Sequence, residues 1–146
     1  MITNGIMTIQ NKETKEHRTF KVHTVRKGAL EGRRLVSLLT GPDNEHSYQG
    51  FGFISESGNS IQLWQRFSGS SAFRYYTKLV EVAAEALGEG IKSEYETVSA
   101  DVQMPKAAYT VTLSKRCLCC NARLTTPRSL AAGYGPECSA RLGLEW

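Results

Sequence analysis

The first two thirds of the chain alternate between apolar and polar residues in short runs, and this pattern predicts a small antiparallel sheet. Phe20, Val22 and Thr24 point to one side of a half-buried strand, with polar neighbours between them. The stretch GPDNEHSYQG is rich in turn formers and separates two of the runs. We expect residues 1–12, which are mostly polar, to be frayed. The predicted strands are Arg18–Val25, Arg34–Leu39 (buried on both sides), Phe51–Ser55, Ser60–Phe67, Ala108–Leu113 and, with a weaker pattern, Tyr95–Ser99.

A different periodicity, of three and four residues, predicts one helix over about 72–87. A serine within Ser68–Ser71 can cap its start, and the Gly-Glu-Gly stretch ends it. The apolar stripe that should pack on the sheet is Phe73, Tyr76, Leu79, Val80, Ala83 and Leu87. Glu81, Glu85 and Glu89 form a separate acidic face. The pattern predicts an α+β fold, with an antiparallel sheet and one helix in a domain over 1–104 and a compact C-terminal unit over 105–146.

All four cysteines lie in that C-terminal unit, within CLCCNARLTTPRSLAAGYGPEC. A structural disulfide is disfavoured, since the start of the chain lacks a signal segment and intracellular thiols are kept reduced. A redox dithiol would use Cys117 and Cys120 with Lys115 and Arg116 lowering a thiol pKa, but it leaves Cys138 unused. A zinc site uses all three, because two cysteines three apart on a tight turn can bind one tetrahedral ion with a third.

The fourth zinc ligand is open at this stage. Cys119 is the nearest thiol, but it is expected to be an unligated neighbour because Cys117 and Cys119 flank a single residue. The remaining candidates are His17, His23, His46, a carboxylate such as Asp101 or Glu137, and water. So short a segment can hardly build its own core, and we expect metal binding to supply its folding energy, on the order of 10 kcal/mol.

Charge adds a mild basic bias. The formal net charge is +4, distributed as +3 over Met1–Phe67, −3 over Ser68–Asp101 and +4 over Val102–Trp146. No apolar stretch approaches the roughly 18 residues that span a bilayer, so we expect a cytoplasmic protein. The sequence Gly50-Phe51-Gly52 lies inside a strand pattern and is therefore no phosphate-binding loop, and Asp43 with His46 is more simply a turn than a catalytic pair. We expect no enzymatic activity.

The cysteine segment, written C-x-x-C-N-x-R-L-T-T-P-x-S-x-x-x-G-Y-G-P-E-C, resembles a small zinc-finger-like domain of uncharacterised function found in bacteriophage and some bacterial proteins. The segments HRTFKV, RLVSLLTGPDN, FGFI and IQLW are similar to those of short phage proteins that end in such a finger. The resemblance implies a phage origin, bound Zn²⁺, and Cys117, Cys120 and Cys138 as ligands. Its framework positions are Arg123, Leu124, Pro127, Ser129, Gly133, Gly135 and Pro136.

Nucleic-acid binding with weak sequence specificity is the leading functional hypothesis. Cations on a metal-fixed scaffold neutralise phosphates, and Tyr109 and Tyr134 could stack on unpaired bases. The predicted contacts are Lys115, Arg116, Arg123, Arg128 and Arg141. The alternative is a protein-interaction module that binds and inhibits or redirects a host protein, for which the acidic helix face would suit a basic partner. A zinc-dependent enzyme ranks third.

Overall fold

The computed structural model describes residues 2–88, 98–118 and 120–143. Within them, seven strands form one antiparallel sheet in the order β5-β4-β3-β2-β1-β7-β6, and two further strands form a separate two-stranded ribbon. The strands are β1 (Gly5–Asn11), β2 (His17–Thr24), β3 (Arg34–Leu39), β4 (Tyr48–Ile54), β5 (Ile61–Leu63), β6 (Ser99–Met104), β7 (Ala107–Leu113), β8 (Lys115–Arg116) and β9 (Arg123–Leu124). The helices are α1 (Ser71–Leu87), α2 (Pro127–Ala132) and α3 (Pro136–Leu142), and a 3-10 turn spans Gln65–Phe67.

The predicted α+β class, with one helix packed on an antiparallel sheet and a cysteine cluster at the C-terminal side, is confirmed. Helix α1 begins at the predicted place, where the Ser70 side chain accepts a hydrogen bond from the Phe73 backbone N–H. Its stripe packs as expected: Leu79, Val80 and Ala83 are buried. The three flanking stripe residues, Phe73, Tyr76 and Leu87, are half-buried against the same core.

The core between helix and sheet is centred on two phenylalanines from the strands on either side of β3. Phe20 of β2 and Phe51 of β4 are fully buried, with ring centroids 6.1 Å apart in an edge-to-face arrangement. Tyr76 of α1 contacts Phe20 at 5.5 Å and Phe73 contacts Phe51 at 5.2 Å. The helix is thus fixed to the middle of the sheet by aromatic contacts.

The prediction that residues 1–12 are frayed is wrong. They contain β1, which lies between β2 and β7 with Ile6, Met7, Thr8 and Ile9 all buried. Met7 and Ile9 belong to the core that includes α1. Thr8 points to the other face, where it contacts the C-terminal part of the chain. In a strand covered on both faces, a threonine can be buried if its hydroxyl is hydrogen-bonded. The polar composition of residues 1–12 therefore did not indicate that they contain a buried strand.

The predicted Ala108–Leu113 strand is confirmed as β7, which pairs with both β1 and β6. It joins the main sheet although it lies beyond residue 104, and the proposed division into domains at that point stays a prediction. The sequence pattern did not predict β6, and most of the weak strand at Tyr95–Ser99 lies outside the described residues.

The residues of the predicted acidic face differ in role. Glu85 is exposed, while Glu81 Oε1 accepts a hydrogen bond from the Ile61 backbone N–H of β5 at 2.8 Å, and Glu89 lies outside the described residues. In the part of the chain that the structure describes, no helix is both long and apolar enough to cross a bilayer.

Candidate metal centre

A tight turn between β8 and β9 positions the first cysteines. The Cys117 backbone N–H donates to Ala122 O at 2.7 Å and the Asn121 N–H donates to Cys117 O at 3.0 Å, which closes the turn. Asn121 has a left-handed backbone (φ 64°), a conformation that asparagine tolerates better than most residues. The ribbon and its turn therefore hold Cys117 and Cys120 on the same short loop.

Two short helices bring the third cysteine back to this loop. Thr126 caps α2 by accepting from the Ser129 N–H, Pro127 occupies its first turn, and α2 ends at Gly133 with φ 82°. Gly135 precedes α3, whose first turn contains Pro136 and places Cys138 inward. These local start and stop signals were readable in the sequence, and they explain why a cysteine 18 positions after Cys120 can return to it.

The three sulfur atoms converge. The Sγ atoms of Cys117, Cys120 and Cys138 all lie within 4.8 Å of one another. Cys117 and Cys138 are buried, whereas Cys120 is exposed, and none of the three is in a disulfide. In a tetrahedral zinc site with Zn–S bonds of about 2.3 Å, sulfurs lie about 3.8 Å apart. The cluster is close to that arrangement, and three cysteine sulfurs are a donor set suited to zinc or another soft metal.

None of the described histidines or carboxylates completes the cluster. Among residues 2–88, 98–118 and 120–143, the group that could hold an ion consists of the three cysteines. His17 and His23 lie in β2, and His46 contacts Asp43 in the β3–β4 loop. Asp101 lies in β6, 3.0 Å from Lys12, and Glu137 is exposed on α3. The candidates that remain are water, Cys119 and the carboxylates that, like Cys119, lie outside the described residues.

The cysteine unit, defined as residues 115–143, has a very small apolar core. Leu124 and Leu130 are buried against Cys117 and Cys138, and Tyr134 packs half-buried beside them. So few apolar side chains cannot offset the conformational entropy of ordering nearly 30 residues. The unit therefore needs a second source of stability, either a bound metal or its contacts with the sheet.

The cysteine unit is hydrogen-bonded to the face of the sheet opposite α1. The Ser114 backbone N–H donates to Ile6 O at 2.7 Å, and the Ser114 hydroxyl donates to Leu124 O at 2.7 Å. Thr8 Oγ1 donates to Thr125 O and lies 2.8 Å from Thr19 Oγ1. All these side chains are buried, so the polar contacts are shielded from water and specify one docked position.

The β3–β4 loop (residues 40–47) holds the unit from its other side. Asn44 Nδ2 donates to Arg123 O at 3.0 Å, and Asn44 Oδ1 accepts from Thr125 Oγ1 at 3.1 Å. Tyr48 donates to Asn44 O at 2.8 Å, and burial raises its pKa to about 12. Asn44 lies about 80 positions from Arg123 and Thr125 in the chain, and no local signal could have predicted their contact. We refer to Asn44, Arg123 O and Thr125 as the loop clamp.

The same loop engages two of the predicted nucleic-acid contacts. Glu45 Oε1 lies 3.1 Å from Arg116 Nη1 and 3.6 Å from Arg123 Nε, with both arginines largely covered. A third, Lys115, is only 6% exposed, and burial lowers its pKa. Arg116 and Arg123 therefore connect the unit to the β3–β4 loop, and Lys115 is buried within the unit. Arg128 on α2 and Arg141 on α3 are the members of the predicted set with exposed side chains.

The loop residues Asp43 and His46 form a turn, as expected from the sequence. The Asp43 carboxylate accepts from the backbone N–H groups of Glu45 and His46 and lies 3.0 Å from His46 Nδ1. The hydrogen bond from the Glu45 N–H, and then the one from His46, lower the pKa of Asp43. Both side chains are substantially exposed. Their role is to shape the loop that presents Asn44 and Glu45 to the cysteine unit.

Comparison with known proteins matches only the C-terminal part of the chain to a family. Residues 107–143 match the profile of a family of unknown function, DUF6011. The matched segment covers β7 and the whole cysteine unit, so the chain is similar to that family over the candidate metal centre and the strand that leads into it. Searches of curated proteins and of solved structures found no match to this chain. The resemblance of the cysteine segment to a zinc-finger-like domain, and of the remaining segments to phage proteins, stays a prediction.

Proposed function

We propose that Cys117, Cys120 and Cys138 bind a structural zinc ion that holds the cysteine unit in its docked position on the sheet. The observation that supports this is the convergence of three Sγ atoms within 4.8 Å in a unit too small to fold by apolar burial alone. Two of the three cysteines are buried, as expected for an ion that stabilises a fold. The fourth position would be taken by water or by Cys119. The proposal is of a protein without catalytic activity.

Cobalt(II) substitution tests the metal site directly. Protein stripped with a chelator under reducing conditions is titrated with Co²⁺, and the absorption spectrum is recorded. We expect thiolate-to-cobalt charge-transfer bands and strong visible bands typical of a tetrahedral ion, saturating at one Co²⁺ per chain, followed by displacement by zinc. Absence of saturable thiolate bands, with all thiols reduced, would show that the cluster does not bind a metal of this class.

We further propose that the protein binds nucleic acid with weak sequence specificity. Two exposed arginines, Arg128 and Arg141, lie on adjacent short helices of the cysteine unit, whose segment of the chain carries a formal charge of +4 over residues 102–146. Neither helix is long enough to read a groove in the manner of a recognition helix. Arginines of this kind neutralise phosphates and give an affinity that falls with salt.

Fluorescence anisotropy with a labelled single-stranded oligonucleotide tests this binding across a range of salt concentrations. We expect saturable binding that weakens as salt rises, and an affinity reduced about tenfold or more when both Arg128 and Arg141 are changed to Glu. Lys78→Glu is the matched control, since Lys78 is an exposed cation on α1, across the sheet from the cysteine unit. No binding at low salt by the wild-type protein would refute the proposal.

A protein partner is the second candidate, and one observation favours it. Leu118, in the cysteine turn, is 57% exposed, and Leu142 at the end of α3 is 50% exposed. Exposed leucines on a rigid unit are suited to contact another protein. In keeping with the resemblance to phage proteins, this partner would be a host protein in the bacterial cytoplasm. Recovery of one defined protein by the wild type but not by Leu118→Ser, without nucleic-acid retention, would support it.

A further inference from the structure

A cluster of aromatic side chains lies on the β4–β5 side of the sheet, three strands away from the Thr8 contact with the cysteine unit. Phe53 and Trp64 have ring centroids 5.5 Å apart, and Trp64 stacks near Phe67 at 6.5 Å with 23° between the ring planes. All three side chains are partly exposed. Phe67 also contacts Phe73 of α1 at 4.4 Å, which anchors the cluster to the core.

The glycines of β4 explain why the tryptophan can lie in this position. A Cβ atom added at Gly50 would be 2.8 Å from Cη2 of Trp64, so the indole ring lies against the bare backbone of the strand. A Cβ at Gly52 would be 2.9 Å from a methyl group of Ile61. The Gly50-Phe51-Gly52 sequence, which is no phosphate loop, therefore serves to seat Trp64 and β5 against β4.

Two exposed arginines stack on these rings. The Arg33 guanidinium carbon lies 4.0 Å from the centre of the Phe53 ring. That of Arg66 lies 4.7 Å from the Phe67 ring centre and 5.5 Å from the Trp64 ring centre. A guanidinium held on an aromatic face presents a planar, charged surface to solvent at little further entropic cost. Arg33, Phe53, Trp64 and Arg66 are referred to below as the stacking surface.

The surroundings of the stacking surface are positively charged. The connection from β2 to β3 (residues 25–33) and the first residue of β3 carry four cations against one carboxylate, Glu31; the cations are Arg26, Lys27, Arg33 and Arg34. A depression of about 620 Å³ lies beside them, and its lining includes Arg33, Arg34, Glu56 and Gln62. The lining carries two guanidinium groups and one carboxylate; the Arg34 guanidinium donates to Ile2 O and Asn4 Oδ1, and Arg33 is the exposed cation that favours an anion there.

We propose that the stacking surface binds single-stranded nucleic acid, with unpaired bases stacked on the Arg33–Phe53 and Arg66–Trp64 pairs and a phosphate in the depression beside Arg33. The proposal rests on the proposed nucleic-acid binding and adds to Arg128 and Arg141 a second surface, which would contact the bases. Planar cation and aromatic groups suit unpaired bases, because every base has a stacking face, whereas a paired duplex hides these faces. The positive charge of the β2–β3 connection complements the backbone.

Tryptophan fluorescence provides a test at the surface itself. The chain has two tryptophans, so Trp146→Phe leaves Trp64 as the sole indole reporter. This variant is titrated with oligothymidylate while anisotropy of a labelled copy of the oligonucleotide follows total binding. We expect saturable quenching of Trp64 emission in parallel with binding. Arg33→Glu and Arg66→Glu should each weaken binding about tenfold or more, the loss expected for one stacking contact, and Lys78→Glu should not.

The outcomes separate this inference from the proposed function. Binding without quenching of Trp64, unchanged by Arg33→Glu and Arg66→Glu but lost when Arg128 and Arg141 are reversed, would overturn the stacking surface and keep nucleic-acid binding. Equal binding of a duplex would likewise overturn base stacking. No binding of any nucleic acid would overturn both. Circular dichroism of each variant shows whether its fold is intact, which we expect because both arginine side chains are exposed.

Discussion

Removal of the Asn44 side chain tests the coupling between the metal centre and the sheet. Asn44 makes two hydrogen bonds to the cysteine unit, one to Arg123 O and one from Thr125 Oγ1, and Thr125 is only 4% exposed. A hydrogen bond contributes about 1 kcal/mol net, and an orphaned buried hydroxyl costs about 1–3 kcal/mol. We therefore expect Asn44→Ala to destabilise the docked unit by about 2 kcal/mol.

That loss should appear in the zinc affinity. If metal binding and folding of the cysteine unit are one coupled step, energy lost from the docked state is lost from the apparent binding energy. At about 1.4 kcal/mol per tenfold change, about 2 kcal/mol corresponds to an affinity about 30-fold weaker. The measurement is competition for zinc against a chromophoric chelator at fixed pH, because thiolate ligands make the affinity depend on protonation.

Asn59→Ala is the matched control, since it makes the same change at an exposed position in the β4–β5 turn. It should leave zinc affinity within about twofold of the wild type. Equal zinc affinities for Asn44→Ala and Asn59→Ala would refute the coupling and show that the unit binds its metal independently of the sheet. A weaker affinity in both variants would also contradict the role assigned to the clamp.

Three further predictions concern the ligands, the stacking surface and alkaline pH. Cys120→Ser should abolish tight zinc binding and remove hydrogen-exchange protection from residues 115–143 while the sheet and α1 stay protected; retention of one zinc per chain would contradict the ligand assignment. Gly50→Ala should destabilise the protein by about 1–3 kcal/mol, because its Cβ meets the Trp64 ring, and should shift Trp64 emission in the Trp146→Phe background; an unchanged denaturation midpoint would argue against the close packing. Burial raises the pKa of Tyr109 to about 12, followed in importance by its hydrogen bond with Tyr75. The folded state favours the neutral phenol, so the contribution of Tyr109 to the free energy of unfolding is complete below about pH 10 and is lost as pH rises towards 12. Tyr109→Phe should therefore lose less stability than the wild type across that window. A loss equal to that of the wild type would exclude Tyr109 as its source.

Local signals predicted the parts of the fold that depend on local structure. A few adjacent residues determine each of these elements, and each formed where expected: the stripe and serine cap of α1, the strands β2 and β3, and the helix start at Thr126-Pro127. The convergence of Cys138 with the Cys117–Cys120 turn also followed from spacing, because glycines and prolines fix the path between them.

Features that depend on distant contacts were not predictable in this way. The polar composition of residues 1–12 predicts a frayed end, yet Thr8 of β1 is buried and contacts the cysteine unit more than 100 positions away. The pairing of Arg116 and Arg123 with Glu45 was not predictable, because Glu45 is remote from both in the chain. Pattern and spacing report which side chains are near in sequence, and these roles are set by residues near only in space.

The most direct test of the metal centre is zinc content per chain, measured on protein purified without a tag, together with thiol titration before and after chelation. We predict one zinc per chain, with three thiols protected until the chelator is added, or four if Cys119 joins the shell. Protein without zinc whose thiols react at once, with the cysteine unit still folded, would contradict the account.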